Sequence, residues 1–336
     1  MNRSSLMTAA LLLAAVTAPA SAADYPWQPD QPVTIIVPWA AGGSTDQVTR
    51  IAAGEVEEAL GQRVVVINQP GASGSIGTKA ALDAPRDGTT WTAGAAQDLG
   101  TYIVLGMLDT RIEDWHLYLT VANVAVVGVN ADTPYQTMQD LLDAMKERPG
   151  EVSVATAGLN SGGHNAIEAI RQATGIEYRH VTYDGGNPAV IATVGGETQV
   201  TTQLAVEQAE MIRAGRIRPL AVLSDQPLEL EGFGEIPPLT ATVQGFPTAP
   251  NYFGIFVPKG VPDEVVQTLD AIWQDRIANS EQLRGYATNR GAQFAGNLHG
   301  EAAQQAVQPA IRTNAWLLFE GGKAQVSPDT VGIPRP

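Results

Sequence analysis

The feature that most constrains this chain is a pattern that occurs twice, in residues 33–67 and 152–182. Each copy contains an apolar run typical of a buried strand, a glycine-rich loop, a helical stripe that ends at a glycine, and a second strand. A strand–helix–strand unit predicts parallel strands joined by a right-handed crossover. We interpret the two copies as corresponding units of two α/β lobes, with the apolar runs at 121–129 and 252–257 as the crossovers between them.

The same periodicity locates the other predicted elements. Apolar runs of strand length occupy residues 33–37, 64–67, 89–93, 121–129, 152–156, 178–182, 199–204, 220–223 and 252–257. Amphipathic stripes at helical spacing occupy residues 47–60, 138–146, 166–174, 206–214, 265–277 and 302–319. Strands that alternate with helices predict the α/β class with parallel-rich sheets. The proline-rich end, residues 328–336, is expected to be an unstructured tail.

Residues 1–23 have the features of a secretory signal peptide. Arg3 gives a short positive region, residues 6–16 are apolar but too short to span a bilayer, and small residues of the A-x-A kind follow. We expect cleavage after Ala22 or Ala23 and export of the mature chain. No cysteine stands at the cleavage site and no later run resembles a transmembrane helix, so the sequence predicts no membrane anchor. The alternative is a disordered apolar tail that is not removed.

Composition limits the classes of function. The 336 residues include 35 acidic and 20 basic side chains, which give a formal net charge of −15. This charge repels nucleic acid and anionic membrane surfaces, so neither is an expected partner. Cysteine is absent from the sequence, which excludes a disulfide, a thiolate nucleophile and a cysteine-bound metal. The four histidines show neither the H-x-H nor the H-x-x-x-H spacing, so neither a metal nor another cofactor is expected.

The first glycine-rich loop, in the stretch VPWAAGGSTD (residues 37–46), can form an anion site. In a parallel α/β sheet the ligand crevice lies beyond the carboxyl ends of the strands. Glycines there let a ligand approach the backbone, and the N–H groups that start the next helix favour an anion. The stretch lacks the lysine of a phosphate loop and the dinucleotide fingerprint, so a carboxylate demands least of it. The alternative is a tight turn whose helix is capped by Ser44, Thr45 or Asp46.

A second glycine-rich loop, residues 157–165, repeats this design in the other unit. If the two units face each other, two helix N-termini converge on one cleft and would suit a molecule with two carboxylates. A third cluster, residues 183–188, lies at another strand end. It would add main-chain donors and an aromatic wall from Tyr183.

A secreted serine hydrolase is the enzymatic alternative. Ser44 or Ser161 would be its nucleophile and His164 its base. A serine at a helix N-terminus is more often a cap, however, and the G-x-S-x-G nucleophile elbow is missing. We therefore expect a binding protein and not an enzyme, in which His164 either donates to a carboxylate or extends the helix cap.

Several segments of the chain carry a family likeness: YPWQPDQPVTIIVPWAAGGSTD, ALGQRVVVINQPGASGSIGTKAALDAPRDGTTW, VTYDGGNPAV, IRAGRIRPLAV and GFPTAPNYFGIFVPKGVPDEVV. With the C-terminal helix, they cover nearly the whole mature chain. They resemble the substrate-binding proteins of tripartite tricarboxylate transporters, the TctC-like Bug receptors of bacterial periplasms. The first two segments are highly specific in combination.

The resemblance implies a fold, a domain division and a role. The fold is a two-lobe periplasmic binding protein of type II (Venus-flytrap), with a parallel-rich sheet in each lobe and a hinge. Lobe 1 would comprise residues 24–124 and 250–327, lobe 2 residues 125–249, and the tail residues 328–336. A monomer in the periplasm would close on a small organic carboxylate, a dicarboxylate or an aromatic acid, and deliver it to the membrane transporter subunits. The alternative role is a solute-binding sensor component that is not coupled to uptake.

The resemblance also places the ligand contacts. Family ligands are held by the two glycine-rich loops and by a region that matches residues 183–187. The family's frequent aspartate falls on Gln203, which disfavours an amino-acid ligand, and its lysine falls on Asp184. Gln97 and Asp98 either reach the cleft or belong to a surface loop. The candidate ligand-binding residues are Trp39, Ala40, Ala41, Gly42, Gly43, Ser44, Thr45, Asp46, Gln97, Gly158, Asn160, Ser161, Gly162, Gly163, His164, Asn165, Tyr183, Gly185 and Gln203.

Overall fold

The computed structural model describes residues 25–246 and 249–336, so the predicted signal peptide lies outside the described residues. Within those ranges, no helix has the length and apolar character needed to cross a membrane. The strands are β1 (Val33–Val37), β2 (Val64–Asn68), β3 (Thr90–Ala95), β4 (Trp115–Asn123), β5 (Val126–Asn130), β6 (Ser153–Thr156), β7 (Arg179–Thr182), β8 (Val200–Thr201), β9 (Ile217–Val222), β10 (Leu228–Leu230), β11 (Gly234–Ile236), β12 (Asn251–Pro258) and β13 (Gln293–Phe294). The helices are α1 (Ser44–Leu60), α2 (Ser75–Asp83), α3 (Ala96–Thr101), α4 (Met138–Glu147), α5 (Gly162–Thr174), α6 (Gly186–Val194), α7 (Ala205–Arg213), α8 (Asp263–Asp275), α9 (Glu281–Arg290) and α10 (Gly300–Glu320).

Six strands form the first sheet, in the order β13-β4-β12-β3-β1-β2. β1 is parallel to β2 and β3, as the strand–helix–strand pattern predicts. β12 returns from a distant part of the chain and pairs antiparallel with β3 and β4. Helix α1 buries Val48, Ala52 and Val56, which repeat every four residues and form the apolar face that joins the core of this half.

Five strands form the second sheet, in the order β7-β6-β8-β5-β9. β6 is parallel to β7 and β8, whereas β5 is antiparallel to β8 and β9. Helices α4 and α5 belong to its core through Leu141, Met145, Ile167 and Ile170, all of them buried. Each sheet therefore has its own apolar core, and each contains one copy of the repeated unit.

The chain passes between the two sheets at neighbouring points. The predicted run at 121–129 is divided into β4 and β5, which belong to different sheets and are joined by Val124 and Ala125. Asn123, at the end of β4, is opposite Asn251 at the start of β12. The predicted crossover at 252–257 was wrong, because that run lies within β12 of the first sheet, and the chain enters this sheet at Asn251. The two crossing segments, at Asn123–Ala125 and just before β12, thus lie side by side, and a hinge can be built from such an arrangement.

Several predicted boundaries were wrong. α1 begins at Ser44 and α5 at Gly162, three and four residues before the predicted starts at 47 and 166. The predicted strand at 199–204 is shorter in the structure, where it forms β8. Just after β8, the Gln203 carbonyl accepts a hydrogen bond from Val126 N–H, and the chain then turns into α7. The short helices α2, α3, α6 and α9 and the β10–β11 hairpin were not predicted, since short elements carry little periodic signal.

The prediction of an unstructured tail was also wrong. Pro328–Val331 forms a turn of 3₁₀ helix, and Ile333 packs against the core of the first half. Arg335 pairs with Glu320 at 2.7 Å and lies 4.0 Å above the Trp316 ring. These contacts hold the segment along α10. The proline-rich end is therefore packed against the rest of the protein, although most of it is neither helix nor strand.

Candidate ligand-binding cleft

The first glycine-rich loop leads from β1 into α1. Gly42 has a φ of +82°, a left-handed conformation that favours glycine. Gly43 is the N-cap residue, and Ser44 and Thr45 follow in the first turn with both side chains buried. The N–H groups of a first helical turn have no partner inside the helix, and the dipole makes that end positive. This loop therefore presents main-chain donors to the space beyond β1.

Asp46 stabilises the loop instead of facing that space. Its carboxylate accepts hydrogen bonds from Gly42 N–H (2.9 Å), Arg50 Nε (2.9 Å) and Asn68 Nδ2 (3.0 Å). Burial opposes ionisation, but the hydrogen bonds from Arg50, Gly42 and Asn68 outweigh it and lower the pKa of Asp46. Because its carboxylate accepts three hydrogen bonds from the protein, Asp46 has a structural role in holding the loop.

The second loop leads from β6 into α5 in the same way. Gly158 has a φ of +109°, and Ser161 is the N-cap residue of α5. The Ser161 hydroxyl accepts from His164 N–H at 3.2 Å and donates to the Gly158 carbonyl at 2.8 Å. Ser161 is thus a helix cap, as most serines at this position are.

His164 and Asn160 are both buried. The His164 ring is 1 % exposed and lies 4.7 Å from the His180 ring, inside the second half. Burial, with the nearby His180, lowers the pKa of His164 to about 4, so its neutral form is favoured. Asn160 accepts from the Thr101 hydroxyl at 2.8 Å. Of the two roles expected for His164, this placement is compatible with the helix cap, in which its main-chain N–H is bound by Ser161.

The third cluster packs against the first loop. Ala40 N–H donates to the Asp184 carbonyl at 2.9 Å, and a Cβ on Gly185 would lie 3.1 Å from the Ala40 Cβ. Ala41 is exposed beside this contact. The Tyr183 hydroxyl donates to Glu197 at 2.8 Å, and its ring lines the mouth of the cleft.

The two loops meet at a small cavity of about 30 Å³ between the sheets. Residues of the first half that line it include Trp39, Gly43, Ser44, Thr45, Ala95 and Asp98. Residues of the second half that line it include Ala157, Ser161, Gly162, Gly186, Gln203 and Glu207. The structure thus brings the N-termini of α1 and α5 to one cleft, as the sequence predicts. A wider cavity of about 310 Å³ forms the mouth, between Trp39, Gly71–Ser73, Ala157–Leu159 and Thr182–Asp184.

Two carboxyl groups line this cleft, of which Asp98 was one of two alternatives in the sequence analysis and Glu207 was not predicted. Asp98 lies on α3 and is 5 % exposed, and burial raises its pKa well above the usual range. It is therefore part of a buried helix and not of a surface loop. Glu207 lies on the first turn of α7, and burial raises its pKa despite hydrogen bonds from Ser44 and Leu204. Any ligand in the cleft therefore lies beside these two carboxyl groups.

Glu207 lies where three segments converge. Its Oε1 accepts from Ser44 N–H at 3.2 Å, and its Oε2 accepts from Leu204 N–H at 3.3 Å. In the orientation that satisfies both amide atoms, Gln203 donates to Oε2 at 3.1 Å and accepts from Ala157 N–H at 2.6 Å. A glutamate at the third position of a helix predicts a capping box when a serine or threonine precedes the helix. Here the N-cap residue is Leu204, so the sequence pattern does not indicate the role of Glu207.

The remaining predicted residues are divided between the cleft and its surroundings. Gly163 is buried, and a Cβ there would lie 2.8 Å from the Gln203 amide. Gln97 and Asn165 do not line the small cavity. They line a separate cavity of about 350 Å³ near the crossing segments, which we call the hinge cavity.

Comparison with known proteins identifies the family. A model of the tripartite tricarboxylate transporter family receptor (TctC) matches residues 48–297. Protein BugT of Bordetella pertussis is 31% identical over 280 residues, which cover 82% of this chain and 84% of BugT.

Solved structures give the same result. The periplasmic binding protein BugD superposes with a TM-score of 0.78 at 25% identity, over 88% of this chain and 99% of that one. Rpa4515 of R. palustris, solved with adipate, has a TM-score of 0.76 at 26% identity, over 88% of this chain and 98% of that one. The predicted α/β fold of a two-lobe periplasmic binding protein is thereby confirmed. The chain belongs to the receptor family of the tripartite tricarboxylate transporters.

Proposed function

We propose that this chain is a periplasmic receptor that binds a small organic carboxylate between two lobes and delivers it to a tripartite tricarboxylate-type membrane transporter. The observation that carries the proposal is the convergence of α1 and α5, whose first turns line one cavity at Gly43–Thr45 and Ser161–Gly162. Helix N-termini hold anions through main-chain donors without a lysine or arginine. The adipate in the related R. palustris structure supports a carboxylate ligand.

The proposed mechanism is closure of two lobes about the crossing segments. Lobe 1 would be residues 24–124 with 250–327, and lobe 2 residues 125–249. Hydrogen bonds across the cleft support closure as the binding motion: Ala40 to Asp184 (2.9 Å), Ser44 to Glu207 (3.2 Å), Leu159 to Ser73 (3.1 Å) and Thr101 to Asn160 (2.8 Å). A ligand that contacts both lobes shifts the population toward this closed form.

Asp98 and Glu207 narrow the proposed ligand class. A carboxylate beside two carboxyl groups is favoured when the same ligand also brings a hydrogen-bond donor to one of them. Glu207 places a carboxyl group beside the neutral Gln203, which supports a ligand that carries an amine or a hydroxyl. We therefore include hydroxy and amino acids with the dicarboxylates and aromatic acids expected from the sequence.

Neither catalysis nor anchoring in the membrane is part of this proposal. The Ser161 hydroxyl is used as a helix cap, and His164 packs against His180. The chain would be exported by residues 1–23 and act as a monomer before it docks on the transporter subunits.

A thermal-shift screen of the mature protein tests the proposal. Mono-, di- and tricarboxylates are compared with sugars and with amines that carry no carboxylate, because a ligand that binds only the folded state raises the melting temperature. At least one acid should raise it in a concentration-dependent manner. If sugars or amines raise it and no acid does, the proposal is wrong.

A further inference from the structure

The hinge cavity is separate from the cleft. Its volume is about 350 Å³, and its walls include the crossing residues Asn123–Ala125 and parts of α5 and α10. Gly162 and Leu204 line both cavities and form the partition between them. A Cβ on Gly162 would lie 2.9 Å from Asn251 Nδ2, so a glycine is needed where the partition meets the hinge.

Four buried amides line the hinge cavity: Gln97, Asn123, Asn165 and Asn251, which are 3%, 1%, 4% and 8% exposed. Asn123 and Asn251 are opposite each other on β4 and β12. Asn314, also in the wall, donates to Gln97 Oε1 and so fixes the direction of that amide. The group belongs to both crossing segments, to α3 and to α5.

Within the described part of the chain, six polar atoms of these amides have no hydrogen-bond partner. They are Gln97 Nε2, Asn123 Nδ2 and Oδ1, Asn165 Nδ2 and Oδ1, and Asn251 Oδ1. Buried polar groups are nearly always paired with protein atoms or ordered water, so these atoms can hold water or the polar head of a small molecule. Three of the atoms are donors and three are acceptors. A carboxylate would satisfy only the donors and an ammonium only the acceptors, whereas a hydroxyl or a primary amide satisfies both.

Apart from Gln172, Thr313 and the charged pair described below, the other walls are apolar. They include Val124, Ala166, Leu223, Phe246 and Leu317. The charged side chains in the wall, Glu320 and Arg335, pair with each other at 2.7 Å and so neutralise one another. An apolar wall with a few convergent polar groups is the usual composition of a small-molecule site.

We propose that the hinge cavity binds a neutral small molecule with an apolar body and a hydroxyl or amide head. The amides hold the head, and the apolar wall holds the body. Because the wall is built from both sheets, the bound molecule stabilises the arrangement in which the two halves are in contact. The inference does not depend on a carboxylate in the cleft.

Benzamide is the probe, and benzoate and toluene are the matched compounds of similar shape. Binding to the mature protein is measured by calorimetry and by saturation-transfer NMR. Benzamide should bind at least about tenfold more tightly than benzoate or toluene, because only benzamide pairs with donors and acceptors together. Its affinity should be retained or increased when the cleft is saturated with a carboxylate ligand, because both ligands stabilise the closed form.

Two variants locate the binding. Ala169→Phe fills the cavity, since Ala169 lines it, and should abolish benzamide binding. Ala144→Phe is the matched control, because Ala144 is a partly buried alanine of the same core that does not line the cavity. Asn123→Leu provides a second test if Ala169→Phe does not fold. It removes two of the unpaired atoms and should weaken benzamide binding by about tenfold or more.

A crystal soaked with benzamide completes the test. Density for the probe against Asn123 and Asn165 supports the proposal. Ordered water alone in the hinge cavity at saturating benzamide overturns it, as does binding that survives Ala169→Phe or that is displaced by a cleft carboxylate. The absence of any benzamide binding to the wild-type protein also overturns it.

Discussion

The main-chain N–H of Ser44, at the start of α1, donates to the carboxylate of Glu207 on α7 at 3.2 Å. This contact joins the two halves of the molecule at the helix end that we propose for a ligand carboxylate. A carboxyl group therefore already accepts a main-chain hydrogen bond beside the proposed anion site. The ligand must share that helix end with Glu207. The group next to the ligand's carboxylate is therefore expected to donate a hydrogen bond to Glu207.

Glu207→Gln should change the preference among four-carbon acids. Aspartate and malate bring an ammonium or a hydroxyl to Glu207, whereas succinate brings neither. Replacement of the carboxylate by an amide should weaken aspartate binding by about tenfold, since a charge-assisted hydrogen bond is lost, and should leave succinate unchanged or tighter. Calorimetry with the three acids measures this. Glu210→Gln, an exposed glutamate on the same helix, is the control and should change none of the affinities. Equal losses for all three acids would contradict a selective role of Glu207.

Gly186→Ala should disturb the same contact from the other side. A Cβ on Gly186 would lie 2.1 Å from Glu207 Oε2, so the carboxylate must move away from Ser44. We expect aspartate binding to weaken by about tenfold, which corresponds to the loss of one such hydrogen bond. Gly195→Ala, at the other end of α6, is the matched control because its Cβ has ordinary contacts beyond 3.4 Å.

A double-mutant cycle separates this effect from a general disturbance of α6. In the Glu207→Gln background, Gly186→Ala should cost much less than in the wild type, because the two changes act on one contact. Additive losses would show that Gly186 acts independently of Glu207.

His164→Gln should reduce the acid sensitivity of folding. The pKa of His164 falls from 6.5 to about 4 in the folded protein, so the folded state binds fewer protons than the unfolded state between these values. The stabilisation is therefore present above pH 6.5 and is lost as the pH falls toward 4. Between pH 7 and pH 4.5 the wild type should lose about 2 kcal/mol through this residue, and the variant should not.

Urea unfolding at the two pH values measures this difference. His299→Gln is the control, because His299 is only partly buried and lies in the other half. An equal pH dependence for the wild type and His164→Gln would show that the buried ring is not the source.

The sequence predicts those parts of the site that local patterns determine. Gly43 and Ser161 each precede a helix and follow a strand, so their position at the cleft follows from the strand–loop–helix order. Glu207 could not be assigned in this way, because its role depends on the close approach of α7 to Ser44. The same limit applies to Asn123 and Asn251, which are distant in the chain and become neighbours through strand pairing.

The depth of His164 could not be read from the sequence either. A histidine in the first turn of a helix faces the cleft or the core according to the rotation of that helix. In α5 the apolar face with Ile167 and Ile170 packs against the second core, and His164 lies on that face at the i−3 position to Ile167. Asn165, one residue further, turns instead toward the hinge cavity.

Trp39 and Trp316 should report separately on the two cavities. Trp39 lines the cleft and is 8% exposed, so a carboxylate that closes the cleft changes its surroundings. Trp316 lines the hinge cavity under Arg335. A cleft ligand should therefore change the intrinsic fluorescence, and Trp39→Phe should remove most of that change while Trp316→Phe preserves it. For benzamide, whose proposed site adjoins Trp316, Trp316→Phe should remove most of the fluorescence change and Trp39→Phe should preserve it. If Trp39→Phe leaves the response to the carboxylate intact, the ligand binds away from the first loop, and the assignment of the cleft is wrong.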